Sequence, residues 1–161
     1  MSADAKLDNL ILAVAGHPGV RGLGKTKLWK LIYFIEASLL REYGSNAGVG
    51  FVKQPFGPVP ARGQRRLDAL TKAGRILVTK EAHDVPYAQQ NVSTTIKPPP
   101  DAFTAAEKAI IDKVCTAMGR QTAATLSKIS HDEPAWIHAG IGKDLDPVLM
   151  AYGAKEDPEG L

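Results

Sequence analysis

The chain has 161 residues, of which 44% are hydrophobic, and a formal net charge of +3 at pH 7. This length and apolar content are typical of one domain with a single hydrophobic core. Because no apolar run reaches about 18 residues and the N-terminus lacks a basic flank before a long apolar stretch, we expect no membrane span, no secretory signal and a cytoplasmic location. The single cysteine, Cys115, excludes an internal disulfide, and without a C-x-x-C pair no structural zinc site is expected.

The first two predicted elements are helices. Apolar residues recur at helical spacing over residues 7–14, so a first helix is expected to end near Gly16. From Thr26, which we expect to cap it, the segment TKLWKLIYFIEASLLREYG carries a broad apolar face up to Gly44. This second helix is predicted to be the centre of the core.

The middle of the chain is predicted to be less regular. Residues 44–60 hold four glycines and three prolines and end in PFGPVP, which predicts an irregular, stiff connection. A helix is expected from Pro60 to Gly74, with proline in its first turn. The segments RILVTKE and NVSTTI then read as two short strands of a β-hairpin.

The last third is predicted to be helical. Thr104 and Glu107 have capping-box spacing before a helix that ends at Gly119. Two short helices follow, one over residues 122–129 and one beginning at Pro134. We therefore predict a mainly α (α+β) fold, a bundle of about five to seven helices with a small β-hairpin, as one domain over residues 1–153 with a flexible tail at 154–161.

The stretch GVRGLGKT, residues 19–26, matches the phosphate-loop pattern G-x-x-x-x-G-K-[ST]. In a nucleotide hydrolase this loop leaves a buried parallel strand, and a second strand ending in Asp supplies a magnesium ligand. The chain offers neither feature, and its composition produces the pattern by chance at an appreciable rate. We therefore interpret the stretch as a loop before the core helix and predict no enzymatic activity and no nucleotide cofactor.

Four segments occur in the order TKLWKLIYFIEASLLREYG, PFGPVP, LDALTKAGRI and LSKISHDEPAW over roughly residues 7–139. Together they resemble the Panacea domain, the family of SocA-like and phage-associated antitoxins. The first is similar to the family's T-K-L-x-K-L-[IL]-Y helix at Thr26, Lys27, Leu28, Lys30, Leu31, Ile32 and Tyr33. The second is similar to its G-P-V turn, and the last to its T-H-x-E-x-P-W segment, with Ser130 in place of the threonine and the spacing of Glu133 and Pro134 slightly shifted.

The resemblance implies an antitoxin that neutralises a toxin encoded beside it by direct protein binding. Some relatives act as adaptors that deliver the toxin to a ClpXP-type protease, so a protease is a further implied partner, whereas a membrane is not. The family often has an Ala-Trp pair before the G-P-V turn, where this chain has VKQPF, so partner choice here is expected to differ. The candidate partner-binding residues are Tyr33, Phe34, Phe56, Gly57, Pro58, Val59, His131 and Trp136.

The PFGPVP segment has a physical basis for recognition. Gly57 permits a backbone turn that a side chain would hinder, and Pro58 and Pro60 fix their φ angles. Phe56 and Val59 are then displayed at a low cost in entropy. Alternatively, Phe56 fills the core beneath a rigid turn, since large aromatic side chains are mostly buried.

The HDEPAW segment invites a catalytic or metal-binding interpretation. Pro134 interrupts the helix, so His131 and His138 need not share a face, and no third ligand is evident. We expect instead that His131 makes a capping or core hydrogen bond. Trp136 is expected to be a packing anchor whose indole N–H finds one partner.

Arg62, Arg65 and Arg66 lie on a predicted helix directly before the predicted hairpin, as in a winged-helix DNA reader. Arg62 and Arg66 share a helix face at i, i+4, from which they could meet phosphates. The other interpretation is a solvated face or a partner-docking patch. A DNA-binding transcriptional regulator is therefore the alternative function, with DNA as the alternative partner.

Overall fold

The computed structural model describes residues 1–80 and 90–153. In chain order these residues form α1 (Ala3–Ala15), α2 (Lys25–Tyr43), β1 (Phe51–Gln54), β2 (Gly57–Pro60), α3 (Gly63–Lys72), β3 (Leu77–Lys80), β4 (Gln90–Ser93), α4 (Ala105–Met118), α5 (Ala123–Ser130), α6 (Pro134–Ile137) and α7 (Pro147–Tyr152). The strands pair as two separate antiparallel hairpins, β1–β2 and β3–β4. The predicted class, mainly α with a small β component, is confirmed.

Helix α2 is the central element, as predicted. It is 19 residues long and packs against α1, α4, α5, α7 and β2. A helix enclosed on most sides must bury residues around its whole circumference, and α2 buries the charged side chains of Lys27, Lys30 and Glu36 together with its apolar ones. Gly24, not the predicted Thr26, is its N-cap, and Gly44 ends it in a left-handed conformation at φ +74°.

The hairpin β1–β2 corrects the prediction of an irregular connection over residues 44–60. Its register pairs Phe51 with Pro60 and Gln54 with Gly57. The prolines of β2 lack an N–H group, and β2 is an edge strand of its sheet, the place where a strand tolerates proline. Because Pro60 belongs to this strand, α3 begins at Gly63 rather than at the predicted Pro60.

A later segment covers the free edge of β1. The N–H of Lys53 donates to the carbonyl of Lys143 at 2.9 Å, and the N–H of Leu145 donates to the carbonyl of Phe51 at 2.8 Å. These bonds satisfy strand groups that would otherwise be exposed. They also bring the loop before α7 beside the hairpin.

The other predicted elements are confirmed with small shifts. The strands β3 and β4 pair as predicted, Thr104 and Glu107 form a capping box at α4, Thr122 caps α5, and α6 begins at Pro134. Cys115 is buried, as expected, and burial raises its pKa to about 12. Helix α7 was not predicted, although Asp146 and Pro147 carry the usual signals for a helix start. The predicted tail lies outside the described residues.

Among residues 1–80 and 90–153, no helix combines the length and the apolar character that crossing a membrane requires. Even α2 carries charged side chains along its length.

Candidate partner-binding site

The turn of hairpin β1–β2 is fixed by α2 and α5 beneath it. Gly57 adopts φ +117°, and a Cβ there would lie 2.4 Å from Lys30 Cε and 2.5 Å from Ser130 Oγ. Lys30 is fully buried, and its Nζ donates to the carbonyl of Pro58 at 2.9 Å. The turn therefore requires glycine for both its backbone angle and its close approach, and the buried ammonium holds it in place.

Burial lowers the pKa of Lys30 to about 8. At pH 7 the side chain still carries its proton, so it can donate to the turn. A buried charged donor makes a stronger hydrogen bond than a neutral one. The hairpin is thus held by a lysine whose pKa is lowered by burial but which is still charged at pH 7.

A second buried polar group joins α2 to the segment between α5 and α6. The hydroxyl of Tyr33 donates to Glu133 Oε1 at 2.8 Å, and Arg41 donates to the same oxygen through Nη2. Arg41 Nε also donates to the carbonyl of Met150 in α7, at 2.9 Å. Burial, followed by the charge of Glu133, raises the pKa of Tyr33. The network positions α6 and α7 on the central helix.

Trp136 links α6 to the hairpin. Its Nε1 donates to the carbonyl of Gln54 at 3.1 Å, which confirms the single partner predicted for the indole. The rings of His131 and Trp136 stack with their centroids 4.1 Å apart, and Lys53 Nζ lies 3.9 Å from the centroid of the Trp136 ring. A cation over an aromatic face contributes about 0.5–2 kcal/mol. Trp136 is therefore held by three contacts within the chain, with Gln54, His131 and Lys53.

His131 meets the capping alternative of its prediction through its backbone, and among the described residues its ring atom Nε2 makes no core hydrogen bond. In the part of the chain that is described, this atom is buried and has no partner. Its residue is instead the C-cap of α5, where the backbone N–H bonds to the helix end. The described residues contain no group of three or more His, Cys, Asp or Glu that could hold a metal ion.

Exposed apolar side chains lie on this hairpin and on two segments that are hydrogen-bonded to it. Phe56 is 68% exposed at the hairpin end, Ile137 beside Trp136 is 52% exposed, and Ile141 is 60% exposed next to Gly142, whose N–H donates to the carbonyl of Lys53. We call Phe56, Trp136, Ile137 and Ile141 the hairpin-tip surface. Large exposed apolar groups close together are typical of contact sites.

The predicted partner-binding residues divide by burial. Tyr33, Phe34, Gly57 and Pro58 are buried, whereas Phe56 is exposed and three others, Val59, His131 and Trp136, are partly exposed. The alternative in which Phe56 fills the core is thus wrong. Tyr33 and Phe34 lie in the core because they belong to the enclosed helix α2, where Tyr33 packs edge-on against Phe51 with ring centroids 5.3 Å apart. In this conformation they support the surface from below.

Sequence reasoning did not select Lys30, Glu133, Ile137 or Ile141 for this site. Lys30 interrupts the apolar stretch of α2, and a charge within a helix predicted to be central is a signal that it has a buried partner. Glu133 stands in the polar segment SHDEP, where no pattern indicates that it is buried. Ile137 follows Trp136 directly, so the HDEPAW segment indicated this part of the chain but not this residue. Ile141 reaches the surface only through the pairing of residues 142–145 with β1, a long-range contact with no local sequence signal.

The three candidate DNA-binding arginines take different positions. Arg62 pairs with Asp4 at 2.8 Å, and Arg66 donates two hydrogen bonds of 2.8 Å to the carboxylate of Asp8. The hydrogen bond to Asp8 raises the pKa of Arg66. Arg65 is exposed. Two of the three thus join α3 to α1, although a hairpin does follow α3 as predicted.

The phosphate-loop match lies in a helical context. Its residues follow helix α1 rather than a strand, and Lys25 Nζ donates to Gln64 Oε1 at 3.1 Å. The predicted loop before the core helix is confirmed. The arrangement differs from that of a nucleotide hydrolase, in which a parallel strand precedes the loop.

The family model described as "Antitoxin SocA-like, Panacea domain" matches residues 28–137, more than half of the chain. The chain belongs to this family. The resemblance inferred from its four sequence segments is thereby confirmed, and the antitoxin-like family indicates a non-catalytic role. No curated protein and no solved structure matches the chain. Within this Panacea domain, the family model spans the hairpin β1–β2 and ends at Ile137 of the hairpin-tip surface.

Proposed function

We propose that this protein is an antitoxin that neutralises a toxin encoded beside it by binding the toxin directly through the hairpin-tip surface. The family assignment supports the class of function. The surface itself supports the mode of action, because its chemistry is that of a protein contact and its described residues offer no metal cluster.

The observation that carries the proposal is the exposure of Phe56 on a rigid turn. A phenylalanine with 68% of its surface exposed, on a fixed turn and near other exposed apolar side chains, is available for a partner to cover. Gly57 and Lys30 hold the turn beneath it in one conformation. Binding would then order little backbone, so most of the energy of burying the ring would appear as affinity.

The neighbours of Phe56 fit the anatomy of an energetic centre. Trp136 is oriented by its hydrogen bond to Gln54 and by its stacking on His131. Tryptophan is one of the residue types enriched in binding hot spots. Ile137 and Ile141 extend the apolar area around these two rings.

Delivery of the toxin to a ClpXP-type protease is a finer version of the same function. An antitoxin that acts by occlusion forms a stable complex and protects its toxin. An adaptor accelerates loss of the toxin only when protease and ATP are both present. A toxin that persists unchanged with both added would refute the adaptor version and leave occlusion.

DNA binding is the alternative function. The ion pairs of Arg62 and Arg66 with α1 oppose it, because phosphate contacts would have to replace them. Its prediction is salt-dependent binding to the upstream promoter that weakens when the three arginines are replaced by alanine. Absence of any shift at low salt would refute it.

The decisive experiment is growth of cells that express the adjacent open reading frame with this protein or its variants. We expect arrest by the neighbour and rescue by the wild-type chain. Phe56→Ser should lose rescue, whereas Leu77→Ser, which removes an apolar side chain 59% exposed on β3, should retain it. Equal rescue by both variants would refute the role of the hairpin-tip surface, and no arrest by the neighbour would refute the pairing with that reading frame.

A further inference from the structure

Two adjoining cavities lie between the first turn of α2 and the first turn of α5. Their volumes are about 210 and 370 Å³, and both are lined by Lys27 and Ala123. Gly24, Lys25 and Thr26 line the first, and Arg21, Arg120 and Thr122 line the second. We call the two together the α2–α5 cleft. It is separate from the hairpin-tip surface, with which it shares no residue.

The lining of the α2–α5 cleft is strongly cationic. Arg21, Lys25, Lys27 and Arg120 contribute to it, and among the residues that the structure describes no Asp or Glu does. Within residues 1–80 and 90–153, none of these four side chains forms a salt bridge. Positive charges that converge on a concave surface without acidic partners repel one another and concentrate anions.

Lys27 lines both cavities of the cleft. Its residue is only 2% exposed, and its Nζ donates to the carbonyl of Arg21. Burial lowers its pKa. This carbonyl is a neutral partner, so an anion in the cleft that this side chain lines would supply an opposite charge.

The backbone around the cleft holds these groups in place. Gly119 lies so close to the loop after α1 that a Cβ there would be 2.4 Å from the carbonyl oxygen of Gly19, and the N–H of Arg21 donates to the carbonyl of Gly119 at 3.0 Å. This crossing fixes Arg21 and Arg120 on adjacent loops. At the start of α2, Gly24 supplies no side-chain cap, so the first N–H groups of a 19-residue helix have no side-chain acceptor there.

We propose that the α2–α5 cleft binds a phosphate-type oxyanion, either the free anion or the phosphoryl group of a small molecule. Guanidinium groups, an ammonium and uncapped helical N–H groups are the donors that phosphate oxygens prefer. The cleft has room for more than one phosphoryl group. The last three residues of GVRGLGKT, Gly24, Lys25 and Thr26, therefore line the proposed anion site. The parallel strand before the loop that a nucleotide hydrolase has is replaced here by helix α1.

The test is isothermal titration calorimetry of the full chain with inorganic phosphate, inorganic pyrophosphate and ADP, without magnesium and at constant ionic strength. We expect saturable binding of pyrophosphate or ADP. Tighter binding of ADP than of pyrophosphate would identify a nucleotide as the carrier, and equal binding would identify the free anion. Absence of binding by all three would overturn the proposal.

Variants locate the binding. Arg21 and Arg120 are both exposed, so Arg21→Gln with Arg120→Gln should leave the fold intact and weaken binding by about tenfold or more. The control, Arg65→Gln with Lys72→Gln, removes the same charge from exposed positions on α3 and should change affinity less than about twofold. Equal weakening by the two pairs would overturn the site, because it would show an effect of net charge alone.

Discussion

The replacement Gly57→Ala should destabilise the fold far more than an ordinary glycine substitution. The new Cβ would lie 2.4 Å from Lys30 Cε and 2.5 Å from Ser130 Oγ, and both of these residues are fully buried, so neither can move into solvent. The backbone angle of φ +117° adds strain for any L side chain, about 1–3 kcal/mol. Displacing Lys30 also breaks its hydrogen bond to Pro58 and leaves a buried donor unpaired, at about 1–3 kcal/mol.

Together these terms amount to about 4 kcal/mol. For a domain of this length, each kcal/mol lowers Tm by about 2–4 °C, so Tm should fall by roughly 8–16 °C. Urea unfolding followed by circular dichroism measures the free energy directly, and calorimetry measures Tm. Both should be read at pH 7, where Lys30, with its pKa near 8, carries its proton.

The matched control is Gly74→Ala. Gly74 also has a positive φ, +74°, but no atom lies within 4 Å of its Cβ position. It should therefore lose only the strain of the backbone, about 1–2 kcal/mol. If the two variants are equally stable, the close packing of Gly57 on Lys30 is wrong. In a Lys30→Ala background the extra loss at Gly57 should shrink, because the crowding atom is gone.

Three further predictions concern charge and the hairpin-tip surface. Burial raises the pKa of Glu36 from 4.5 to about 7. Between these pH values the folded chain holds a proton that the unfolded chain has released, so the free energy of unfolding falls as pH rises. Glu36→Gln should flatten this slope in urea unfolding measured from pH 4 to 8. Arg66→Ala, which removes the pair with Asp8, should lose about 1 kcal/mol, whereas Arg65→Ala should lose almost none; equal losses would refute the docking of α3 on α1. Phe56→Ser should change stability by less than about 0.5 kcal/mol while it abolishes rescue, and a large drop in stability would show that the ring is part of the core.

The helices were predictable because their signals are local. The capping box at Thr104, the proline that starts α6 and the apolar periodicity of α2 each lie within a few residues of the element that they specify. The hairpin β1–β2 was missed because glycine and proline predict breaks whenever only neighbours in sequence are considered. Its strands are stabilised by contacts with α2 and with residues 142–145, which lie far away along the chain.

The site was predictable only in part for the same reason. Phe56, Gly57 and Trp136 stand in recognisable segments, but which of them reach solvent depends on the tertiary structure. A central helix buries Tyr33 and Phe34 whatever their chemistry, since most sides of α2 are covered. Ile141 becomes part of the surface only through a pairing with β1 that no local pattern indicates.

This division explains how the family's most recognisable block relates to partner choice. Lys30 and Tyr33 match the T-K-L-x-K-L-[IL]-Y block and are both buried, where Lys30 holds the turn and Tyr33 bonds Glu133. Phe56, in the stretch where this chain departs from the family's Ala-Trp pair, is exposed. We therefore expect replacements in the buried block to act through stability and replacements at residue 56 to act through partner choice. A Phe56 variant that neutralises the same toxin with unchanged affinity would contradict this assignment, because the exposed position would then contribute nothing to recognition.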